Sequence, residues 1–297
     1  MTNAHADRVK EVARLAGRPS RLRRREFLAE GPQAVREAVR SHLAAQASGK
    51  AGVVIEVYAT SDALQRHPDV AELLGTEGAP SSREVTPEVL AAMASTVTPQ
   101  GFIAVCRYVD VPLETVLASG PRLVAVLVEV RDPGNAGTII RAADSAGADA
   151  VILTSASVDP YNPKTVRSTV GSLFHVPLVI GVETEVVVDA LRRAGLSVLA
   201  ADGYGTTDLD ELQDASAARR LGGVPDAGGS PVRLEDAGGW LFGNEAQGLP
   251  SAVVEAADAL VAVPIYGQAE SLNVGTAATV CLYASARAQR PERAGPG

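Results

Sequence analysis

Short apolar runs alternate with stretches of helical spacing through the second half of this chain. The apolar runs lie at residues 123–130, 150–154, 176–180, 196–201, 240–242 and 260–263. The helical stretches lie at about 136–146, 164–173, 184–194 and 274–289. Uninterrupted apolar runs are typical of parallel strands that are covered on both faces. Their alternation with helices predicts an α/β domain built on a parallel sheet.

The first 108 residues have a less regular pattern, which predicts a separate small α/β domain. Its helical segments are 27–43, 61–74 (interrupted at Pro68) and 89–94, and its β-like segments are 53–58 and 102–108. Residues 109–121 form the predicted connection to a second domain at 122–297. Within that domain, a Gly- and Asp-rich stretch at 202–239 is long for a compact fold and predicts an insertion or a mobile loop.

Composition is typical of a globular protein from a reducing compartment. Of the 297 residues, 46% are hydrophobic and 21% are charged, which separates the chain from disordered proteins. Cys106 and Cys281 both lie in apolar runs, so we expect buried free thiols and no disulfide framework. No apolar run approaches the roughly 18 residues of a membrane-spanning helix. We therefore expect a soluble, cytoplasmic protein without a membrane partner.

Charge is unevenly distributed along the chain, whose formal net charge is −8. Residues 1–50 contain 11 Lys and Arg against 5 Asp and Glu, whereas the rest of the chain contains 16 against 30. The basic excess peaks at Arg21, Arg23, Arg24 and Arg25. Clustered guanidinium groups attract phosphates and displace counterions, which favours RNA contact by this basic arm. The alternative is a solvated helix face whose arginines pair with nearby glutamates.

Three short polar motifs follow apolar runs in the second half of the chain. They span residues 134–141, 241–250 and 263–274. Their candidate functional side chains are Asn135, Arg141, Glu245, Ser271 and Asn273. Ligand sites of open α/β sheets form in the loops at the carboxyl ends of the strands. Three such loops at one edge predict a single pocket with a few well-placed polar groups.

Each of these side chains also has a purely structural interpretation. Asn135 is a favourable turn residue, and an arginine in mid-helix such as Arg141 is commonly a surface charge. Glu245 would cap a turn, and Ser271 and Asn273 are favoured caps at the start of a helix. Taken one at a time, the residues leave both interpretations open.

The order and spacing of the motifs resemble those of a known enzyme family. The motifs read N-x-G-x-x-x-R from Asn135, F-G-N-E-x-x-G-L from Phe242 and P-I-x-G-x-x-x-S-L-N-V from Pro264. Over about 123–288, this pattern resembles the SpoU-type RNA ribose 2′-O-methyltransferases of the SPOUT superfamily. More weakly, residues 27–31 and 98–102 resemble the RNA-binding domain that often precedes this catalytic domain.

The resemblance implies a ribosomal-protein-like α/β domain followed by a parallel-sheet α/β domain with a deep trefoil knot. It implies S-adenosylmethionine as methyl donor, no metal, and a homodimer that methylates structured RNA, with 23S ribosomal RNA as the expected substrate. The implied cofactor contacts are Leu241, Phe242, Gly243, Ile265, Leu272 and Asn273. The implied catalytic residues are Asn135, Arg141, Glu245, Ser271 and Asn273, and further RNA contacts are Lys164 and Arg167. The final helix, with Val280, Leu282 and Tyr283, would pack at the dimer interface.

Family mechanisms often assign the matching arginine as the base that activates the ribose hydroxyl. A guanidinium is effectively never deprotonated in proteins, so a base role for Arg141 is unfavourable. We expect Arg141 to clamp a phosphate and thereby align the 2′-oxygen. Glu245 would orient Arg141 or a neighbouring loop amide.

Three rival functions follow from the same residues. A dinucleotide-dependent oxidoreductase is disfavoured because residues 134–137 read Gly-Asn-Ala-Gly and not G-x-G-x-x-G. A non-catalytic RNA-binding protein on the same fold is disfavoured because all five candidate catalytic side chains are present. A transfer-RNA 2′-O-methyltransferase stays open. So do the identity of the modified nucleotide and the choice between a housekeeping role and antibiotic resistance.

Overall fold

The computed structural model describes residues 1–222 and 232–290, which fold into two compact units. The first unit comprises Met1–Val109 and Asp159–His175. The second comprises Asp110–Val158 and the described residues from Val176 onward. The sequence boundaries assign 159–175 to the second domain, whereas this segment packs within the first unit. The first unit is therefore discontinuous in sequence, a feature that a linear division of the chain does not anticipate.

The first unit is a four-stranded sheet with helices packed on it. Its strands are β1 (Glu26–Glu30), β2 (Val54–Ala59), β3 (Ser81–Glu84) and β4 (Phe102–Arg107). Its helices are α1 (Asp7–Ala13), α2 (Arg18–Arg24), α3 (Pro32–Ala47), α4 (Ser61–Arg66), α5 (Pro68–Gly75), α6 (Pro87–Met93) and, numbered in chain order, α9 (Pro163–Thr169). The sheet order is β1-β4-β2-β3. Strand β4 is antiparallel to both neighbours and β2 is parallel to β3, which confirms a small α/β unit.

Strand β1 corrects the helix predicted to begin at residue 27. Its central residues are buried, and it pairs antiparallel with β4, with Phe27 opposite Cys106. Gly31 follows with a φ of 94°, a conformation that glycine adopts without strain, and Pro32 then begins α3. A short apolar run fits either the strand or the helix period, so spacing alone favoured the wrong element.

The second unit is a seven-stranded sheet in which every strand pairing is parallel. Its strands are β5 (Leu123–Leu127), β6 (Ala150–Thr154), β7 (Leu178–Val182), β8 (Ser197–Ala201), β9 (Thr207–Asp208), β10 (Gly238–Phe242) and β11 (Ala259–Ala262). Its helices are α7 (Leu113–Ala118), α8 (Pro133–Ala146), α10 (Thr184–Arg193), α11 (Leu209–Arg220), α12 (Ser251–Ala256) and α13 (Val274–Gln289). The sheet order is β7-β6-β5-β10-β8-β11-β9. The parallel-sheet α/β fold is confirmed, and the knot stays a prediction.

The middle of this sheet is covered on both faces, as its apolar runs predict. Every residue of β5 and β10 is buried. Trp240 donates from Nε1 to Ser285 Oγ of α13 at 2.9 Å, so the indole is buried with its polar group satisfied. A Cβ on the adjacent Gly239 would lie 2.8 Å from Leu191 of α10. Because adjacent strand residues point to opposite faces, α13 and α10 cover the two sides of β10.

The Gly- and Asp-rich stretch at 202–239 is not one long loop, which corrects the sequence prediction. It contains β9 and the 12-residue helix α11, which packs against α13. Asp208 caps α11 by accepting from Asp210 N at 2.7 Å. Residues 223–231 of the same stretch lie outside the described residues. The predicted connection at 109–121 likewise contains a helix, α7.

Two expectations drawn from composition can be compared with the structure. Both cysteines are free and buried, as predicted. Burial raises the pKa of the Cys281 thiol to about 12 and also raises the pKa of Cys106, so both thiols stay protonated and unreactive near neutral pH. None of the described helices is both long and apolar enough to cross a membrane.

The structure corrects the assignment of Arg21 to the RNA-contacting arm. The Arg21 side chain is 2% exposed, and its guanidinium contacts Asp159 Oδ2 at 2.7 Å. It also donates to the carbonyl oxygens of Leu15 and Ala16 at 3.1 and 2.6 Å. Arg21 therefore holds the turn between α1 and α2 to the segment that precedes α9. It presents no charge to a ligand in solution.

Replacing Arg21 with Met should lower the free energy of unfolding by about 3–5 kcal/mol, because it leaves the Asp159 carboxylate, only 11% exposed, without its partner. The double replacement Arg21→Met with Asp159→Leu should recover part of this loss. The matched control is Arg23→Gln, an exposed arginine of the same helix, whose effect should stay within about 0.5 kcal/mol. Chemical denaturation measures all three values. Equal losses for Arg21→Met and Arg23→Gln would contradict the structural role of Arg21.

Candidate active site

Four neighbouring strands of the second unit end level with one another. In the sheet register, Phe242 of β10 is paired with Leu127 of β5 on one side and with Ala201 of β8 on the other, and Ala201 is paired with Val261 of β11. The segments that follow these strands surround a cavity of about 820 Å³, a size typical of small-molecule sites. Its walls are residues 135, 201–204, 243–249, 263, 265, 270–274 and 277. The three motifs thus meet at one edge, as predicted.

Helix α8 carries the first motif to the cavity, and its first turn is fixed by local contacts. Asp132 Oδ1 accepts from Asn135 N at 2.9 Å, and Pro133 occupies the first helical position, where proline is favoured. The side-chain oxygen of Asn135 then accepts from Asn273 Nδ2 at 3.0 Å. This hydrogen bond joins residues 138 positions apart and sets the two amides side by side in the cavity wall.

Asn273 makes two sets of contacts at the start of α13. Its Oδ1 caps the helix by accepting from Gly275 N at 2.9 Å and from Thr276 N at 3.3 Å. Its Nδ2 is thereby directed to Asn135. Ser271 lies two residues before this cap and is exposed in the cavity wall. The capping interpretation is therefore confirmed for Asn273 and wrong for Ser271.

The second motif forms a tight turn that requires glycine at two positions. Asn244 and Gly248 exchange backbone hydrogen bonds at 3.0 and 2.7 Å, and Gly248 has a φ of 67°. A Cβ on Gly243 would lie 2.6 Å from the backbone of Gly248, so a larger residue fits only if the turn moves. The turn leaves Glu245 exposed on the cavity wall.

Asn244 ties this turn to the end of β5, a role that the motif pattern did not reveal. Its Nδ2 donates to Glu129 O at 3.1 Å, and its Oδ1 accepts from Ala246 N at 2.9 Å. Glu129 has a φ of 55°, which is unusual for a residue with a side chain. Its N–H donates to Thr154 Oγ1 at 3.3 Å. Backbone strain that surrounding bonds hold in place is typical of functional sites.

The loop after β8 also lines the cavity, although the sequence prediction treated it as part of an insertion. Asp202 N donates to Val261 O at 3.0 Å, and Asp202 Oδ1 accepts from Tyr204 N at 2.8 Å. A Cβ on Gly205 would lie 2.5 Å from Leu260 O, so the loop is pressed against β11. The signal that could have found these residues is their position directly after a predicted strand.

The chain matches family models over most of its length. The SpoU rRNA methylase family matches residues 122–283, and the MRM3-like substrate binding domain matches residues 6–104. The chain belongs to the SpoU rRNA methylase family. The methylase match includes every residue of the cavity wall.

Relatives and solved structures are similar across both units. The 23S rRNA (guanosine(2553)-2′-O)-methyltransferase RlmP of Bacillus subtilis is 33% identical over 281 residues, covering 95% of this chain and 96% of the relative. The AdoMet-bound rRNA methyltransferase of Sinorhizobium meliloti is 27% identical with a TM-score of 0.75, covering 97% of each chain. The SpoU methyltransferase AviRb of Streptomyces viridochromogenes, in complex with AdoMet, is 27% identical with a TM-score of 0.74. That match covers 95% of this chain and 98% of AviRb.

Most of the cofactor-contacting and catalytic residues expected of this family lie in the cavity wall. They are Asn135, Gly243, Glu245, Ile265, Ser271, Leu272 and Asn273. The structure corrects the prediction that the side chains of Leu241 and Phe242 contact the cofactor, because both residues are 0% exposed in β10. Leu241 belongs to the apolar core, and Phe242 stacks on Trp240 with 6.4 Å between ring centroids. Their side chains support the strand beneath the cavity and have no surface available to a cofactor.

Arg141 lies on the exposed face of α8, outside the cavity wall of a single chain. Thr138 and Ser145 are exposed on the same helix face. Within residues 1–222 and 232–290, Arg141 forms no ion pair with Glu245 in a single chain, and the role of Glu245 in orienting Arg141 or a loop amide stays a prediction. The phosphate-clamping role of Arg141 stays a prediction.

The arginines of the basic arm differ in how far their charges are engaged. Arg24 contacts Glu26 at 2.8 Å, and the guanidinium of Arg25 lies 4.7 Å from the centre of the Tyr108 ring. Arg23 is exposed. Arg24 thus makes the glutamate pairing that the alternative interpretation expects, and RNA contact by Arg23, Arg24 and Arg25 stays a prediction.

The two predicted RNA contacts on α9 also differ from each other. Arg167 donates to Ser95 Oγ at 2.8 Å and lies 3.8 Å from Glu30 Oε1. Its charge is thus partly offset within the first unit. Lys164 is exposed at the start of α9. Both assignments to RNA stay predictions.

The cavity fits S-adenosylmethionine in size and in the chemistry of its walls. Ile265 and Leu272 each expose 37% of their surface, although both are apolar, which suits the flat face of an adenine. The carboxylates of Asp202, Glu245 and Glu270 are also in the wall. Negative charge there is favourable for a ligand that carries an ammonium and a sulfonium group.

Proposed function

We propose that this protein transfers a methyl group from S-adenosylmethionine to a ribose 2′-hydroxyl of 23S ribosomal RNA. The observation that carries the proposal is the cavity in which Asn135 and Asn273 are bonded to each other beside the Glu245 turn. RlmP, which is similar along nearly its whole length, is named for this reaction on guanosine 2553 of 23S rRNA. A 23S ribosomal RNA substrate would place the reaction in the cytoplasm.

The reaction requires an aligned hydroxyl and an acceptor for its proton. When bound, S-adenosylmethionine supplies the electrophilic methyl group. Asn135 and Asn273 hold each other's amide in one orientation, which prepares them to position the ribose without reorganisation. The Glu245 carboxylate and the Ser271 hydroxyl are cavity-wall groups that can accept a hydrogen bond from the 2′-hydroxyl.

In a homodimer, Arg141 reaches the active site of the partner. In a single chain, Arg141 lies outside the cavity wall. Next to the exposed face of α8, Val280 and Tyr283 of α13 are 37% and 46% exposed. The Tyr283 hydroxyl donates to Ser145 O at 3.3 Å, which joins the two helix faces into one surface. Apolar and aromatic side chains beside an arginine are typical of interface cores. This surface is the dimer contact, across which Arg141 clamps an RNA phosphate at the partner's cavity.

The structure corrects the assignment of one residue to the dimer interface. Leu282 of α13 is 0% exposed, so it packs in the core of its own chain and not against a partner.

The first unit holds the RNA. It matches the MRM3-like substrate binding domain over 6–104, and its basic arm keeps exposed arginines although others are engaged inside the unit. Arg14, Arg18, Arg23 and Arg25 are exposed, and the Arg25 guanidinium also lies over the Tyr108 ring. Guanidinium groups at this density bind phosphates through release of counterions.

Replacing Arg141 with Ala should reduce methyl transfer to transcribed 23S rRNA by at least about 100-fold, because the 2′-oxygen loses its alignment. The affinity for S-adenosylmethionine, measured by calorimetry, should stay within a few-fold of the parent, since Arg141 is outside the cavity wall. NAD should give no binding heat. The matched control is Arg193→Ala, an exposed arginine of α10, which should leave transfer unchanged.

Tight NAD binding without any cofactor heat would contradict the proposed function. Normal transfer by the Arg141→Ala variant would contradict only the role of that arginine. Preferential methylation of transfer RNA transcripts over 23S rRNA would replace the proposed substrate.

Replacing Arg14, Arg18 and Arg23 together with Gln should weaken RNA binding and flatten its salt dependence. For each arginine that neutralises a phosphate, its removal should reduce the slope of log affinity against log salt by roughly 0.7–0.9. Filter binding at several salt concentrations measures this slope. The matched control replaces Arg66, Arg193 and Arg233, three exposed arginines beyond the first 50 residues, and should leave the slope intact. An unchanged slope in the arm variant would place the RNA-binding surface elsewhere.

A further inference from the structure

The mouth of the active-site cavity has two tyrosines that are almost completely exposed. Tyr204, in the cavity wall, is 97% exposed, and Tyr266, next to the wall residue Ile265, is 84% exposed. Tyr58 and Tyr161, by contrast, are 0% exposed. A large aromatic surface left in water beside a functional cavity indicates a binding surface, because its burial by a partner is favourable.

The backbone that carries Tyr204 is fixed, although its ring is exposed. Asp202 bonds on one side to Val261 O of β11 and on the other to the N–H of Tyr204 at 2.8 Å. Gly205 N donates to Asp202 O at 3.0 Å, and Gly205 itself is pressed against β11. A ring on a rigid turn loses little conformational freedom when a ligand stacks on it.

Tyr266 is held through its side-chain hydroxyl, whereas Tyr204 is held through its backbone. Its hydroxyl donates to the Asp210 carboxylate in the first turn of α11. The ring is nevertheless 84% exposed, so its faces remain available. Strands β9 and β11 are paired at this edge of the sheet. Tyr204 on the loop after β8 and Tyr266 on the loop after β11 therefore lie at the same edge.

The charge around the cavity decides what these rings can bind. The wall contains the carboxylates of Asp202, Glu245 and Glu270, and Asp210 lies beside Tyr266. Negative charge of this density repels the phosphates of RNA. Apart from the phosphate that Arg141 clamps, a nucleotide brought to this mouth therefore needs contacts from groups without charge. Stacking on an aromatic ring is such an interaction, because every nucleobase has a π face.

We propose that Tyr204 and Tyr266 form a stacking surface for the base of an unpaired nucleotide whose ribose is presented to the cavity. This inference rests on the proposed function and adds the form of the substrate to it. A base within a helix is already stacked on its neighbours, so these rings select a nucleotide in a loop or bulge, or one that has been turned out of the stack. Phosphate binding is left to Arg141 and to the arginines of the first unit.

The test compares Tyr204→Ala and Tyr266→Ala with Tyr204→Phe and Tyr266→Phe in methyl transfer to transcribed 23S rRNA. Stacking on an aromatic ring has a strength that corresponds to a loss of roughly fivefold to 100-fold on alanine substitution. Each alanine variant should lower kcat/KM for RNA by about tenfold, whereas each phenylalanine variant should stay within about twofold because the ring is retained. Calorimetry should show unchanged affinity for S-adenosylmethionine in both Tyr266 variants, since Tyr266 is outside the cavity wall.

The matched control is Val186→Ala, which removes a side chain of α10 that is 50% exposed and should leave kcat/KM unchanged. Thermal unfolding of each variant checks that the fold is intact, as expected for exposed positions. Unchanged kcat/KM in both alanine variants would overturn the stacking surface. So would an alanine variant that loses cofactor affinity as much as RNA kcat/KM, because the ring would then contact the cofactor. A wild-type protein that transfers no methyl group to any RNA would overturn the proposed function as well, which separates the two failures.

Discussion

The cavity depends on the parallel insertion of β10 between β5 and β8. Strand β10 comes late in the chain, yet it pairs along its whole length with both neighbours, and Phe242 ends level with Leu127 and Ala201. The register is completed by the hydrogen bond from Val128 N to Phe242 O at 2.8 Å. In any other position of β10, the turn at Glu245 would begin away from the first motif. The apolar faces of this strand, covered by α10 and α13, therefore determine where the polar groups meet.

Hydrogen bonds between the loops convert this alignment into a defined site. Asn135 and Asn273 join the first motif to the third, and Asn244 joins the second to the left-handed Glu129 at the end of β5. Asn244 and Asn273 also use their side-chain amides to bond backbone groups that the irregular loops leave without backbone partners. The cavity wall contains the carboxylates of Asp202, Glu245 and Glu270, whereas the arginines proposed to hold RNA are Arg141 on α8 and exposed arginines of the first unit. The side chains proposed to bind phosphate are thus opposite in charge to the wall of the cofactor cavity.

The sequence predicts those features of the fold that depend on local periodicity. Helix α13 matches the predicted range 274–289 because a 16-residue segment repeats a clear helical period. Strand β6 matches the uninterrupted apolar run predicted at 150–154. Strand β1 was mistaken for helix, since a short apolar run satisfies both periods. Helix α11 was hidden by the turn-forming residues around it.

Site residues that directly follow strands could be predicted from the sequence. Residues whose exposure depends on tertiary contacts could not. The charge pattern could not distinguish Arg21 from Arg23, because the partner that buries Arg21 is 138 residues away. Leu241 and Phe242 were placed at the cofactor because the motif includes them, whereas β10 buries both side chains. Tyr204 was missed because the exposure of a tyrosine cannot be seen in a Gly- and Asp-rich stretch.

The most direct measurement is the chemical identity of the product. The protein would be incubated with transcribed 23S rRNA and S-adenosylmethionine carrying a deuterated methyl group, and the RNA would then be digested to nucleosides for mass spectrometry. We expect label in a 2′-O-methylnucleoside, with the added mass on the ribose fragment. Label on a nucleobase, or no labelled nucleoside at all, would contradict the claim that this cavity serves ribose methylation.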